Sequence, residues 1–186
     1  MRTSPEAAGW PAAGRSGDPS HVVFSAEEIA ARVGELGAEI GRHYQESSGL
    51  LVLGLLKGSF IFLADLVRAL RLPLQVDFFI ASSYGASRVS SGKVRFLYEP
   101  EVDLRGRDVL IVEDIVDSGA TLDLLIHTLE AKGPKSLELC ALLHKRAVTV
   151  VKEPRWVGFE APPQFLVGYG LDYAEEFRHL PYIGSL

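Results

Sequence analysis

The 186 residues suffice for one domain with a sizeable buried core, and 47% hydrophobic against 23% charged residues separates the chain from disordered sequences. Nineteen Lys and Arg against 24 Asp and Glu leave a net charge of -5, so no broad basic field exists to hold a nucleic acid backbone. A single cysteine, Cys140, excludes an intrachain disulfide framework and any multi-cysteine metal site, and no apolar run approaches the ~18 residues of a membrane span.

Residues 1 to about 20 alternate Pro5, Pro11 and Pro19 with Gly9, Gly14 and Gly17, without apolar periodicity, and read as a disordered tail. Trp10-Pro11 stands where a signal peptide would need its continuous apolar stretch, so a soluble, cytoplasmic protein is expected. Order is expected to begin at Ser25. Ser25-Ala26-Glu27-Glu28 is a capping box, and Ile29, Val33, Leu36, Ile40 and Tyr44 follow at helical spacing. Leu50 to Leu55 is wholly apolar and suits a strand buried on both faces. Phe60 to Leu70 returns to helical spacing, Pro73 blocks its continuation, and Leu74 to Ile80 reads as a strand.

Residues 82 to 93 form a polar, glycine-containing loop of a length usually functional or mobile. Val94 to Tyr98 reads as a strand, and Asp108 to Val112 as the clearest buried strand in the chain. Thr121 to Lys132 is helical and stops at Gly133-Pro134. Leu137 to Leu143, Trp156 to Phe159 and Phe165 to Val167 are further strands, with Cys140 read as a core thiol. Strand and helix alternate through the middle, which predicts an α/β fold around a mostly parallel central sheet with helices on both faces. His21, His43, His127, His144 and His179 show no metal-ligand spacing.

The most informative stretch is Val109 to Thr121. A buried strand ends in Glu113 and Asp114, then passes through Asp117-Ser118-Gly119-Ala120 into a helix at Thr121. Ligands of open α/β sheets gather beyond the carboxyl ends of strands. Backbone N–H groups from Ser118 to Thr121 can face one concavity at a helix N-terminus, which favours an anion. The Gly-Lys-Ser/Thr ending of a nucleoside triphosphate loop is missing, so a single phosphate monoester fits better. The paired acids need something to accept from, and a ribose diol or Mg²⁺ supplies it. Helix-dipole decoration accounts for Asp117 but not for two acids on a buried strand's end.

Val112 to Thr121 resembles the phosphoribosyl-diphosphate signature of the type I phosphoribosyltransferases, in the version of the hypoxanthine-guanine branch. Leu55 to Phe60, Ala81 to Gly85, Val167 to Tyr173 and Phe177-Arg178 agree with it in order, so the resemblance spans about residues 22 to 184. It implies a single domain over residues 21–186, with a small hood built from chain-terminal segments, largely about 150–186. It implies transfer of ribosyl 5-phosphate from phosphoribosyl diphosphate to hypoxanthine or guanine, with Mg²⁺, release of pyrophosphate, and a homodimer or homotetramer.

By the same resemblance, Glu113, Asp114, Asp117, Ser118, Gly119, Ala120 and Thr121 bind the ribose phosphate, and Asp117 is the proton acceptor at purine N7. Lys57, Gly58 and Arg178 bind pyrophosphate, and the Leu56–Lys57 peptide can be cis. Glu113, Asp114 and Asp172 are the implied Mg²⁺ ligands. Lys145, Phe165, Leu166 and Asp172 would meet the base, the Lys145 ammonium at O6 selecting a 6-oxopurine. Arg146 could compete for that assignment, and Phe165 also fits a plain core strand. The Ser83-Tyr84 loop would close over the site and exclude water. A rival reading within the superfamily is a regulator that binds messenger RNA; Asp117 and the acidic total charge count against it.

Overall fold

The computed structural model describes residues 19, 21–83, 94–117, 119–145 and 150–186. Its elements in chain order are β1 (His21–Phe24), α1 (Ala26–His43), β2 (Leu50–Leu56), α2 (Phe60–Leu70), β3 (Leu74–Ser83), β4 (Val94–Tyr98), β5 (Asp108–Val116), α3 (Ala120–Glu130), β6 (Ser136–His144), β7 (Trp156–Glu160), β8 (Leu166–Val167) and β9 (Ile183–Ser185). The capping box forms as the sequence predicts. Ser25 Oγ accepts from the Glu28 amide at 3.2 Å, and the Glu28 carboxylate accepts from the Ser25 amide at 2.8 Å.

Six strands make one sheet in the order β4-β3-β2-β5-β6-β7, parallel except for β4, which pairs antiparallel with β3. Side chains alternate across β5, so Leu110 and Val112 pack into the core under α1 and α2. Val109 and Ile111 pack on the other face with Leu122, Leu125, Ile126 and Leu129 of α3. Burial on both faces explains why Leu50 to Leu55 and Val109 to Val112 read as unbroken apolar runs. The chain moves outward from β2 to β3 and β4, then returns to the far side of β2 to lay down β5, β6 and β7. The crevice beyond the carboxyl ends of β2 and β5 is therefore the topological switch point, where an α/β sheet takes its ligands.

The chain-terminal segments build a second, smaller antiparallel sheet in the order β1-β9-β8. Among the described residues the first strand thus begins at His21, ahead of the expected start at Ser25. β1 is four half-exposed residues long, too short for its own periodicity, and is held by pairing with β9. β5 also runs four residues beyond the predicted end at Val112. Glu113, Ile115 and Val116 stay in the parallel ladder opposite Ala141, Leu143 and His144, so backbone pairing carries two acids within the strand. The expected tail at 1–20 lies, apart from residue 19, outside the described residues.

Candidate active site

Two strand ends and one return segment converge at the switch point. After β2, the chain passes through a cis peptide between Leu56 and Lys57 into Gly58 and Ser59, then enters α2. Ser59 is fully buried and its hydroxyl donates to the Leu55 carbonyl at 2.7 Å, so it does not cap the helix. At the start of α3 the N-cap is Gly119 at φ 75°, which has no side chain to cap with. Neither helix has a side-chain cap from its N-cap residue, and uncapped first-turn N–H groups are the ones an anion satisfies.

Gly58 is required by close approach. A Cβ there would overlap the Asp114 carboxylate, and a Cβ on Gly170 (φ +102°) would overlap the Gly58 carbonyl. Arg178 Nη1 in turn donates to the Gly170 carbonyl at 2.8 Å. Asp114, Gly58, Gly170 and Arg178 thus form one line of contacts from the sheet to the return segment.

The adjacent acids part company in space. Glu113 lines a cavity of about 100 Å³ with Ile115, Val116, Asp117, Gly119, Thr121 and Leu122, while Asp114 lies against Gly58. Burial raises the Glu113 carboxyl well above the ordinary range, and the Asp114 charge adds to it. Glu113 Oε2 is buried with no hydrogen-bond partner among the described residues. Burial pushes Asp114 up to about 6. The backbone amides of Ile115 and Asp114 and the Arg178 charge oppose this, while Asp172 adds to it.

Asp117 Oδ1 meets Lys145 Nζ at 2.9 Å. Register makes the pair: β5 and β6 run parallel with Val116 opposite His144, and the Lys145 amide extends the ladder to the Val116 carbonyl at 3.2 Å. The next residue of each strand stands beside the other. Phe165, on the way into β8, is 55% exposed and meets Tyr173 edge-on at 5.7 Å, which excludes the core-strand reading. Leu166 beside it is buried.

On the return segment Arg178 Nη2 pairs with Asp172 Oδ1 at 2.8 Å and reaches Glu175 at 3.4 Å. Lys57 Nζ bonds both Glu175 oxygens at 3.0 Å. Glu175 and Gly170 escaped sequence reasoning. The signal for Glu175 was an acid between Asp172 and Arg178; the need for glycine at 170 shows only once Gly58 is folded against it. Of the sequence-predicted residues, Tyr84, Ser118 and the competing Arg146 lie outside the described residues, as do the side chains of Ser83 and Ala120.

The arrangement offers two helix starts open to an anion, desolvated acids at the strand end, an acid–lysine pair and an exposed ring. The phosphoribosyl transferase domain family matches residues 23–174. A hypoxanthine-guanine phosphoribosyltransferase of Mycobacterium bovis is 49% identical over 176 residues, covering 91% of this chain and 87% of that protein. A hypoxanthine phosphoribosyltransferase of Escherichia coli K12 is 47% identical over 167 residues, covering 89% and 94%. The crystal structure of a hypoxanthine phosphoribosyltransferase from Staphylococcus aureus superimposes with a TM-score of 0.86 at 38% identity, over 91% of this chain and 92% of that one. The family match spans all six strands of the larger sheet, and the chain belongs to the phosphoribosyltransferase family, on its hypoxanthine-guanine branch.

Proposed function

We propose that the chain is a purine salvage enzyme that transfers the 5-phosphoribosyl group of phosphoribosyl diphosphate to hypoxanthine or guanine, giving IMP or GMP and pyrophosphate. The observation that carries this reading is the Asp117–Lys145 pair standing beside the uncapped start of α3. That juxtaposition puts a proton acceptor and an ammonium next to a phosphate seat. Neither the relatives nor this acidic site favours the RNA-binding regulator.

The 5-phosphate sits in the cavity between Asp117 and Thr121, held by backbone N–H groups at the start of α3. Glu113 and Asp114 accept from the ribose hydroxyls, which gives the unpartnered Glu113 Oε2 a donor. Lys57, Gly58 and Arg178 take the pyrophosphate at the start of α2. The purine stacks on Phe165, with Leu166 and Asp172 offering main-chain carbonyls to its edge, and Lys145 donates to O6. As the C1′–oxygen bond breaks, pyrophosphate leaves with the bonding pair and purine N9 bonds to C1′. The ring sheds its N7 proton to Asp117, whose charge stabilises the positive purine in the transition state.

Glu113, Asp114 and Asp172 fit Mg²⁺ in kind, being hard oxygen donors, and Glu113 has a buried oxygen without a partner among the described residues. No cluster of three or more such side chains is assembled among the described residues, and these acids would hold the ion together with substrate oxygens. Bound there, Mg²⁺ supplies charge neutralisation for the departing pyrophosphate. We read the enzyme as cytoplasmic and as a homodimer or homotetramer. No helix among the described residues is long and apolar enough to cross a membrane.

The test is pyrophosphate release from phosphoribosyl diphosphate and Mg²⁺ with hypoxanthine, guanine, xanthine, adenine and uracil in turn. Turnover with hypoxanthine or guanine is expected. Absence of turnover with both at saturating donor would sink the reading.

A further inference from the structure

The two cations assigned to pyrophosphate already share an anion. Lys57 Nζ bonds both Glu175 oxygens at 3.0 Å, and Arg178 Nη2 lies 3.4 Å from one of them. Glu175 reaches this position at a backbone cost. Tyr173 and Glu176 exchange backbone hydrogen bonds across a two-residue turn, with Ala174 at φ 52° and Glu175 at φ 69°. Positive φ at both central positions is the turn that asparagine and glycine favour, and a long acidic side chain gains nothing locally from it. Strain of this kind gathers where the side chain has a task. The Glu175 amide is also tied to Asp172 Oδ2 at 2.9 Å, which fixes the turn against the same arginine's other partner.

We propose that Glu175 is a positioning residue that stands in for pyrophosphate in the free site, its carboxylate gathering Lys57 and Arg178 and yielding them when the pyrophosphate groups arrive. The proposal rests on the pyrophosphate seat described above. An internal anion has two consequences. It holds two long cationic side chains in place before the donor binds, which lowers the cost of ordering them at that moment. It also competes with pyrophosphate, so product leaves faster than it would from two free cations. Lys57 and Glu175 are both largely exposed, at 64% and 66%, and such pairs exchange partners readily.

Two variants test it. Glu175→Gln keeps the shape and removes the charge, while Glu175→Gly suits the positive φ and so spares the fold. Titration calorimetry with pyrophosphate and Mg²⁺ needs no purine and is run on the parent and both variants. The exposed Lys57–Glu175 pair alone is worth a factor of a few and the Arg178 contact adds to it, so Glu175→Gln is expected to bind pyrophosphate roughly 3- to 10-fold tighter at low salt, with the gain shrinking at high salt. Steady-state turnover should show KM for the donor and kcat falling together, whereas mere loosening of the turn would raise KM. Unchanged or weaker pyrophosphate binding in Glu175→Gln overturns the proposal, as does tightening in Glu175→Gly alone, which would assign the effect to the backbone. A parent that turns over hypoxanthine while Glu175→Gln binds like the parent defeats this inference alone. A parent without turnover, whose variant still tightens on pyrophosphate, defeats the proposed reaction alone. A parent that does not bind pyrophosphate defeats both.

Discussion

The two sides of the site are held together by different means. Asp117 and Lys145 meet because parallel strands β5 and β6 end in register, so backbone ladder bonds fix where the side chains start. Lys57, Asp172, Glu175 and Arg178 meet because opposite charges find one another across a tight turn, with much of Lys57 and Glu175 in solvent. On the first side geometry is set by the sheet and the acids at the strand end are desolvated. On the second it is set by charges that salt screens and ligands displace. A site that must grip a base and ribose in one geometry, yet release pyrophosphate, has use for both.

The sharpest way to break the comparison is on the sheet side. Asp117→Asn keeps size and polarity but loses the charge that meets the N7 proton, so kcat is expected to fall on the order of 10²-fold. Donor binding, measured by calorimetry, should be largely spared; an unchanged kcat would reassign Asp117 to loop structure.

Lys145→Gln is expected to act less strongly but more selectively. Losing one charge-assisted hydrogen bond to O6 costs about 2 kcal/mol, roughly 30-fold in kcat/KM for hypoxanthine. An amide can turn a donor or an acceptor to position 6, so discrimination against adenine should erode as well. If donor affinity falls instead and the base ratio holds, Lys145 belongs with the charges around Arg178.

The smallest expected effect concerns Asp114, whose carboxyl stands at about 6 against an ordinary value of 3.8. A raised carboxyl binds its proton more tightly in the folded protein, so its contribution to stability is lost as pH rises from about 4 to beyond 6. The same ionisation readies it for a hydroxyl donor or a cation. Donor binding with Mg²⁺ should therefore strengthen by up to about tenfold between pH 5 and 7, relative to Asp114→Asn measured in parallel. Parallel pH curves for the two proteins would remove Asp114 from the donor site.

The sheet core was the most readable part of the sequence, because burial on both faces leaves unbroken apolar runs at Leu50 to Leu55 and Val109 to Val112. The capping box at Ser25 was readable for a local reason, since its four residues satisfy one another without help from the rest of the chain. What stayed hidden depends on register or on distant partners. Nothing local says that residue 117 will stand beside residue 145, because that follows from where two strands start pairing. The separation of Glu113 from Asp114 follows from strand alternation, once β5 is known to continue through them. β1 and β9 are too short to carry a pattern and exist through each other. Glu175 was hidden twice, by an unpredicted turn and by a partner 118 residues away.

Cys140 is fully buried in β6, and burial raises its thiol far above the ordinary value, so at neutral pH it offers reagents almost no thiolate. It is also the chain's single cysteine. The native protein is thus close to silent toward thiol-directed labels. A cysteine placed at an exposed position away from the reacting groups could carry a fluorophore or spin label without the native thiol being removed first. The distance between the two sheets, free and with substrate bound, then becomes something that can be followed in the working enzyme.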